Sequence, residues 1–115
     1  MREVCFLIGR GDAILYADAS NSPAALPDSR MRWEAIWRHR DELEAIVHSH
    51  PAGPAAFSAE DRSTMEALDA ALGKQLRYCV VAPRVTITSP EEQILDPEPW
   101  WAALLRLASG MRRRG

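Results

Sequence analysis

Residues 48–61 read His-Ser-His-Pro-Ala-Gly-Pro-Ala-Ala-Phe-Ser-Ala-Glu-Asp, and the types and spacing in that stretch are those of a metal site. Two histidines one residue apart close an apolar run, Leu43 to Val47. Side chains of a strand alternate between faces, so His48 and His50 project the same way with Cα atoms roughly 7 Å apart. Both imidazoles can then converge on one ion. A Pro/Gly-rich turn follows, and Asp61 can close the set from the start of the next helix. Two imidazoles, one carboxylate and an open fourth position are what hydrolytic zinc requires.

Each part also has an ordinary explanation. Ser58-x-x-Asp61 alone reads as a helix N-cap that satisfies free backbone N–H groups. Pro51 and Gly53 alone read as turn residues, and His39, between Arg38 and Arg40, carries no role. It is the joint occurrence that favours metal binding. Hydrolysis also needs a group to take a proton from water. Glu60 leaves the helix on the other side from Asp61, and Glu42 and Glu44 lie at the far end of the strand. Glu3 opens an otherwise apolar strand; it reads either as a half-buried acid beside the central sheet or as an exposed strand start.

The elements that position these residues follow from periodicity and turn chemistry. Val4 to Ile8 and Ala13 to Ala17 form a hairpin around Gly9-Arg10-Gly11-Asp12. A loop over 18–29 leads to a helix from Arg30 to about Arg40, with Met31, Ile36 and Trp37 as core contacts and Asp28 or Ser29 as cap. Glu42 to His50 is a strand. Ser58 starts a helix that ends near Leu72, where Gly73 stops it and Met65, Leu68 and Leu72 face a sheet. Leu76 to Ala82 and Val85 to Thr88 are strands, Ile94-Leu95 a short edge strand, and Trp100 to Leu107 a helix packed through Trp100, Trp101, Leu104 and Leu107. The order ββαβαββ(β)α predicts an α+β architecture, a mixed sheet with helices packed on it.

At 115 residues the chain is expected to be a single domain, residues 1–115. A net charge of −2 and a pI near 5.9 speak against a nucleic-acid or anionic-membrane partner. Arg112, Arg113 and Arg114 are read as a solvated terminus. There is no signal-peptide pattern, and the apolar runs fall short of the ~20 residues that span a bilayer, so a cytoplasmic location is expected. Cys5 and Cys79 lie inside separate apolar runs and read as buried free thiols rather than a disulfide.

His48-Ser49-His50-Pro51, six residues, then Ser58-Ala59-Glu60-Asp61 resembles the JAMM (MPN+, JAB-domain) zinc metalloprotease signature position for position. Glu3-Val4-Cys5-Phe6-Leu7-Ile8-Gly9 is similar to the family's first core strand, and Asn21 sits where many members have Asn. The likeness spans roughly residues 3–90. It implies a cytidine-deaminase-like JAB/MPN fold, with a central mixed sheet flanked by helices. It implies one Zn²⁺ per chain on His48, His50 and Asp61 with water in the fourth position. Glu3 becomes the general base and then the proton donor to the leaving amine, and Ser58 a donor to the oxyanion. Ser49, on the opposite face, takes no direct part.

The chain begins two residues before Glu3, so the helix that many members place ahead of that strand is not expected. The apolar surface it covers would be exposed, covered by the C-terminal helix, or used in self-association. Lacking long insertions, the chain resembles the compact prokaryotic form, which implies peptidase or isopeptidase action on the C-terminal tail or conjugates of a small ubiquitin-like or sulfur-carrier protein. An extended small-residue tail is expected in a groove lined by Ala52 to Phe57 and the C-terminal segment. Two other readings stay open. One is a RadC-like protein, although that group usually carries Asn where this chain has Ser49. The other is a non-catalytic metal-binding scaffold.

Overall fold

The computed structural model describes residues 1–111, so the arginines at 112–114 lie outside the described residues. Six strands form one sheet: β1 (Val4–Gly9), β2 (Ile14–Ala19), β3 (Leu43–Ser49), β4 (Arg77–Val81), β5 (Thr86–Ser89) and β6 (Gln93–Ile94). Three helices accompany them, α1 (Arg30–Arg38), α2 (Ala59–Leu72) and α3 (Trp100–Ser109). The strand order is β2-β1-β3-β4-β5-β6. Only β3 and β4 run parallel, and α2 is the crossover between them. The architecture is the expected α+β mixed sheet, with element boundaries shifted by no more than two residues.

Alternation along the strands divides the core into two layers. Cys5, Leu7, Ile46, Tyr78 and Val80 face α1 and α2, together with Ile36 and Leu68. Val4, Phe6, Ile8, Ala45, Val47, Cys79 and Val81 face α3, together with Trp101, Ala102 and Leu105. Thus α3 covers one apolar face of the sheet. Cys5 and Cys79 are both buried and free, on opposite faces. No helix among the described residues is long and apolar enough to cross a membrane.

Two helices turn differently from expectation, and each turns a paired arginine inward. On α1 the inward stripe is Arg32, Ala35, Ile36 and His39, so Ile36 is buried while Met31 and Trp37 are exposed. Arg32 reaches this face because its guanidinium is 2.8 Å from the Asp18 carboxylate. Trp37 instead lies under the Arg40 guanidinium, 4.2 Å from the ring centre. On α3, Trp101, Ala102, Leu105, Arg106 and Ser109 are buried, whereas Trp100, Leu104 and Leu107 are exposed. Arg106 meets Glu98 at 2.7 Å and its Nε donates to the Ala82 carbonyl at 2.9 Å. Hydrophobic periodicity scores such an arginine as outward, which rotates the expected helix face. Ile94, also exposed, fits its place on the edge strand β6.

Candidate metal centre

Three elements bring the chemical residues together. Glu3 stands immediately before β1, held by its N–H to the Ser22 carbonyl (2.8 Å) and by the Ser20 N–H on its own carbonyl (2.9 Å). The next residue, Val4, donates its N–H to Ser49 Oγ at 2.8 Å, which locks the start of β1 to the end of β3. Cys5 pairs with His48 across the antiparallel ladder, so Glu3 arrives beside His50. His50 is itself fixed to β4 by its N–H on the Val81 carbonyl, 2.9 Å. After it the chain turns tightly: Gly53, at φ +66°, donates to the His50 carbonyl at 2.9 Å, a backbone conformation that glycine adopts without strain.

Asp61 comes from the first turn of α2. A complete capping box forms there, with Asp61 N–H on Ser58 Oγ (3.0 Å) and Ser58 N–H on Asp61 Oδ2 (2.8 Å). The bland reading of Ser-x-x-Asp is therefore correct as far as it goes. It does not exhaust the two side chains. Asp61 Oδ1 still faces His48 Nε2 at 3.6 Å, and Ser58 retains its hydroxyl proton for donation.

The two imidazole Nε2 atoms are 3.0 Å apart, and His50 Nε2 is 3.8 Å from Asp61 Oδ2. Ligands about 2.1 Å from a tetrahedral centre stand about 3.4 Å from one another; the two imidazole nitrogens are close to that spacing, and Asp61 reaches them through different oxygens, Oδ1 to His48 and Oδ2 to His50. His50 Nδ1 lies 3.1 Å from the Pro54 carbonyl, an acceptor only. The ring proton of neutral His50 therefore belongs on Nδ1, leaving a lone pair on Nε2. Metal-ligating histidines are oriented in this way by carbonyl partners.

Glu3 also belongs to the cluster. One of its carboxylate oxygens and the ring nitrogens of His48 and His50 all lie within 4.8 Å of one another. Two carboxylates thus approach one imidazole pair, and electrostatics separates them. Burial pushes the Glu3 carboxyl above the usual range, Asp61 adds to the effect, and His50 opposes it. Burial would also raise Asp61. The hydrogen bond and charge of His48, followed by the hydrogen bonds with Ser58, outweigh it and hold that carboxyl well below the usual range. The two carboxyls are thus shifted in opposite directions, Asp61 down and Glu3 up.

The residue types and the sheet match a known family. A model of prokaryotic homologs of the JAB domain matches residues 2–103. The chain belongs to this JAB-domain family. The family includes metalloproteases, and Glu3, His48, His50, Ser58 and Asp61 of this JAB domain all lie within the matched span. Comparison with curated proteins finds no significant match.

Other expected features fall differently. Asn21 is exposed in the loop after β2. Ser49 is fully buried on the face away from the histidines, as expected, but it carries the Val4 hydrogen bond. Gly53, Pro54, Ala56 and Phe57 line the site cavity, whereas α3 packs on the opposite face of the sheet and does not reach the groove assigned to it. Sequence reading missed the cavity itself, about 480 Å³, which runs from the cluster between the sheet, α1, α2 and the loop over 23–28. Its signal was present in the even-numbered positions of β3, since Ile46 shares a face with His48 and His50.

Proposed function

We propose that this JAB domain is a zinc-dependent amide hydrolase, a peptidase or isopeptidase acting on the C-terminal tail or conjugates of a small ubiquitin-like or sulfur-carrier protein. The observation that carries the reading is geometric: a carboxylate oxygen of Glu3 lies within 4.8 Å of the ring nitrogens of His48 and His50, while Asp61 stands 3.6 Å from His48 and 3.8 Å from His50. A scaffold has no need of a second carboxylate at the imidazole pair.

In this reading His48, His50 and Asp61 hold the metal. Zinc, when bound, polarises the substrate carbonyl and acidifies a water. Glu3 accepts the water proton on a carboxylate oxygen as the water oxygen bonds to the carbonyl carbon. It then delivers that proton to the amide nitrogen as the C–N bond breaks, which restores the carboxylate. The raised Glu3 value suits both halves of this exchange. Ser58, whose oxygen is already an acceptor in the cap, directs its remaining O–H at the developing oxyanion. Ser49 keeps Glu3 in reach by tying β1 to β3.

Zinc content and cleavage of a carrier-protein tail or conjugate, measured on wild type and Glu3→Gln, test this. Wild type is expected to bind zinc and cleave, and Glu3→Gln to bind zinc and cleave at least a hundredfold more slowly. Zinc bound by both with cleavage by neither overturns the peptidase assignment.

A further inference from the structure

We infer that the cavity beside the metal centre is an apolar subsite, which receives a branched aliphatic or aromatic side chain flanking the scissile amide. This deepens the proposed hydrolase function and rests on it for the word amide, while the cavity stands on its own geometry. A tail of glycines on both sides of the bond would leave the space unfilled.

The lining is mixed, since Asp28, Arg32, Glu60 and Thr64 also contribute to it, but its apolar part follows a pattern. Each element that brings a polar group to the cluster brings an apolar one a pleat or a turn farther on. On β1, Glu3 is followed on the same face by Cys5. On β3, His50 and His48 are preceded on the same face by Ile46. On α2, Asp61 is followed by Met65 one turn on and Leu68 two turns on. Ile36 of α1 and Tyr78 of β4 complete the far end. Tyr78 adds no free hydroxyl there, because its O–H donates to Asp69 at 2.7 Å. An amide at the cluster therefore has a polar environment at the bond and an apolar one beside it, the arrangement of ligand pockets that fix a head group and bury a side chain.

Size and rigidity agree with this. An apolar cavity of roughly 150 Å³ accepts benzene, and the whole space here, the polar end at the cluster included, is about 480 Å³. The loop over 23–28 that roofs it is pinned, since both terminal guanidinium nitrogens of Arg32 lie 3.3 Å from the Pro27 carbonyl while the same group pairs with Asp18. The pocket is thus built into the fold rather than left by a loose loop.

Two arms test the inference separately from the metal reading. Indole is titrated into metal-free protein and followed by methyl NMR. Shifts at Ile46 and Leu68 that saturate support the pocket, and shifts confined to the exposed α3 residues Leu104 and Leu107, or none, overturn it. In the second arm zinc-loaded protein is titrated calorimetrically with acetohydroxamate and phenylacetohydroxamate. The phenyl compound is expected to bind at least tenfold more tightly. That ratio should fall below twofold in Leu68→Phe and in Cys5→Leu, which fill the cavity from α2 and from β1. Equal affinities for wild type overturn the inference while leaving the metal site intact. Failure to retain zinc overturns the hydrolase reading, and the indole arm still decides the pocket.

Discussion

The two faces of this sheet are built to opposite ends. On one, α3 seats Trp101, Ala102 and Leu105 against β1, β3 and β4, each no more than 2 % exposed. On the other, α2 buries only Leu68 fully, and with α1 leaves about 480 Å³ open beside the titratable cluster. The same strands serve both faces by alternation, so Val47 is core while His48 is site, and Val4 is core while Glu3 is site. The face toward α1 and α2 has a core of its own, with Leu7, Leu43, Leu76 and Val80 fully buried, and stands open only beside the cluster.

Breaking the packed face should cost most. Arg106→Ala removes the partner of Glu98 and a buried bond to the Ala82 carbonyl, and is expected to lower unfolding free energy by about 4 kcal/mol in urea titration. Leu105→Ala should cost about 3 kcal/mol, because its fully enclosed site cannot relax. Leu68→Ala should cost nearer 2 kcal/mol, since its vacated volume joins a cavity that already exists. Equal losses at 68 and 105 would remove the contrast between the faces.

Thiol chemistry sharpens it. Burial pushes the Cys5 thiol up to about 12 and Cys79 up to about 11. By thiolate fraction alone Cys79 should react about tenfold faster. Both thiols are buried, but Cys5 lines the cavity whereas Cys79 lies under α3. A small neutral reagent such as methyl methanethiosulfonate is expected to modify Cys5 first, as read by peptide mass mapping. Cys79 reacting first would mean that the cavity does not admit small molecules.

The smallest effects lie at the rim. Ser58→Ala loses the α2 cap and should cost about 1 kcal/mol of stability while leaving zinc content unchanged. Asp61 has a folded value below its ordinary 3.8, so its stabilising contribution is present above that pH and is lost as pH falls toward the folded value. Metal-free protein should therefore lose thermal stability below about pH 4 more steeply than Asp61→Asn does.

Much of this was legible in the sequence. His48, His50 and Asp61 come together because strand alternation and the first turn of a helix are local rules, and Gly73 ends α2 at φ +67° as expected. The α1 and α3 faces were misread where Arg32 and Arg106 point inward, since pairing with Asp18 and Glu98 is a tertiary fact that no periodicity records. The cavity was illegible for a similar reason. Cys5, Ile46, Leu68 and Tyr78 have the composition of an ordinary core, and only the stand-off of α1 and α2 makes them a pocket wall.

The central claim is that Asp61 ligates and Glu3 carries protons, although both carboxylates approach the same imidazole pair. The direct measurement is zinc stoichiometry and affinity for wild type, Glu3→Gln and Asp61→Asn, by elemental analysis and competitive chelator titration. One zinc per chain is expected in wild type and in Glu3→Gln with affinities within threefold, and at least a hundredfold loss in Asp61→Asn. Zinc lost from Glu3→Gln but kept by Asp61→Asn would contradict the assignment.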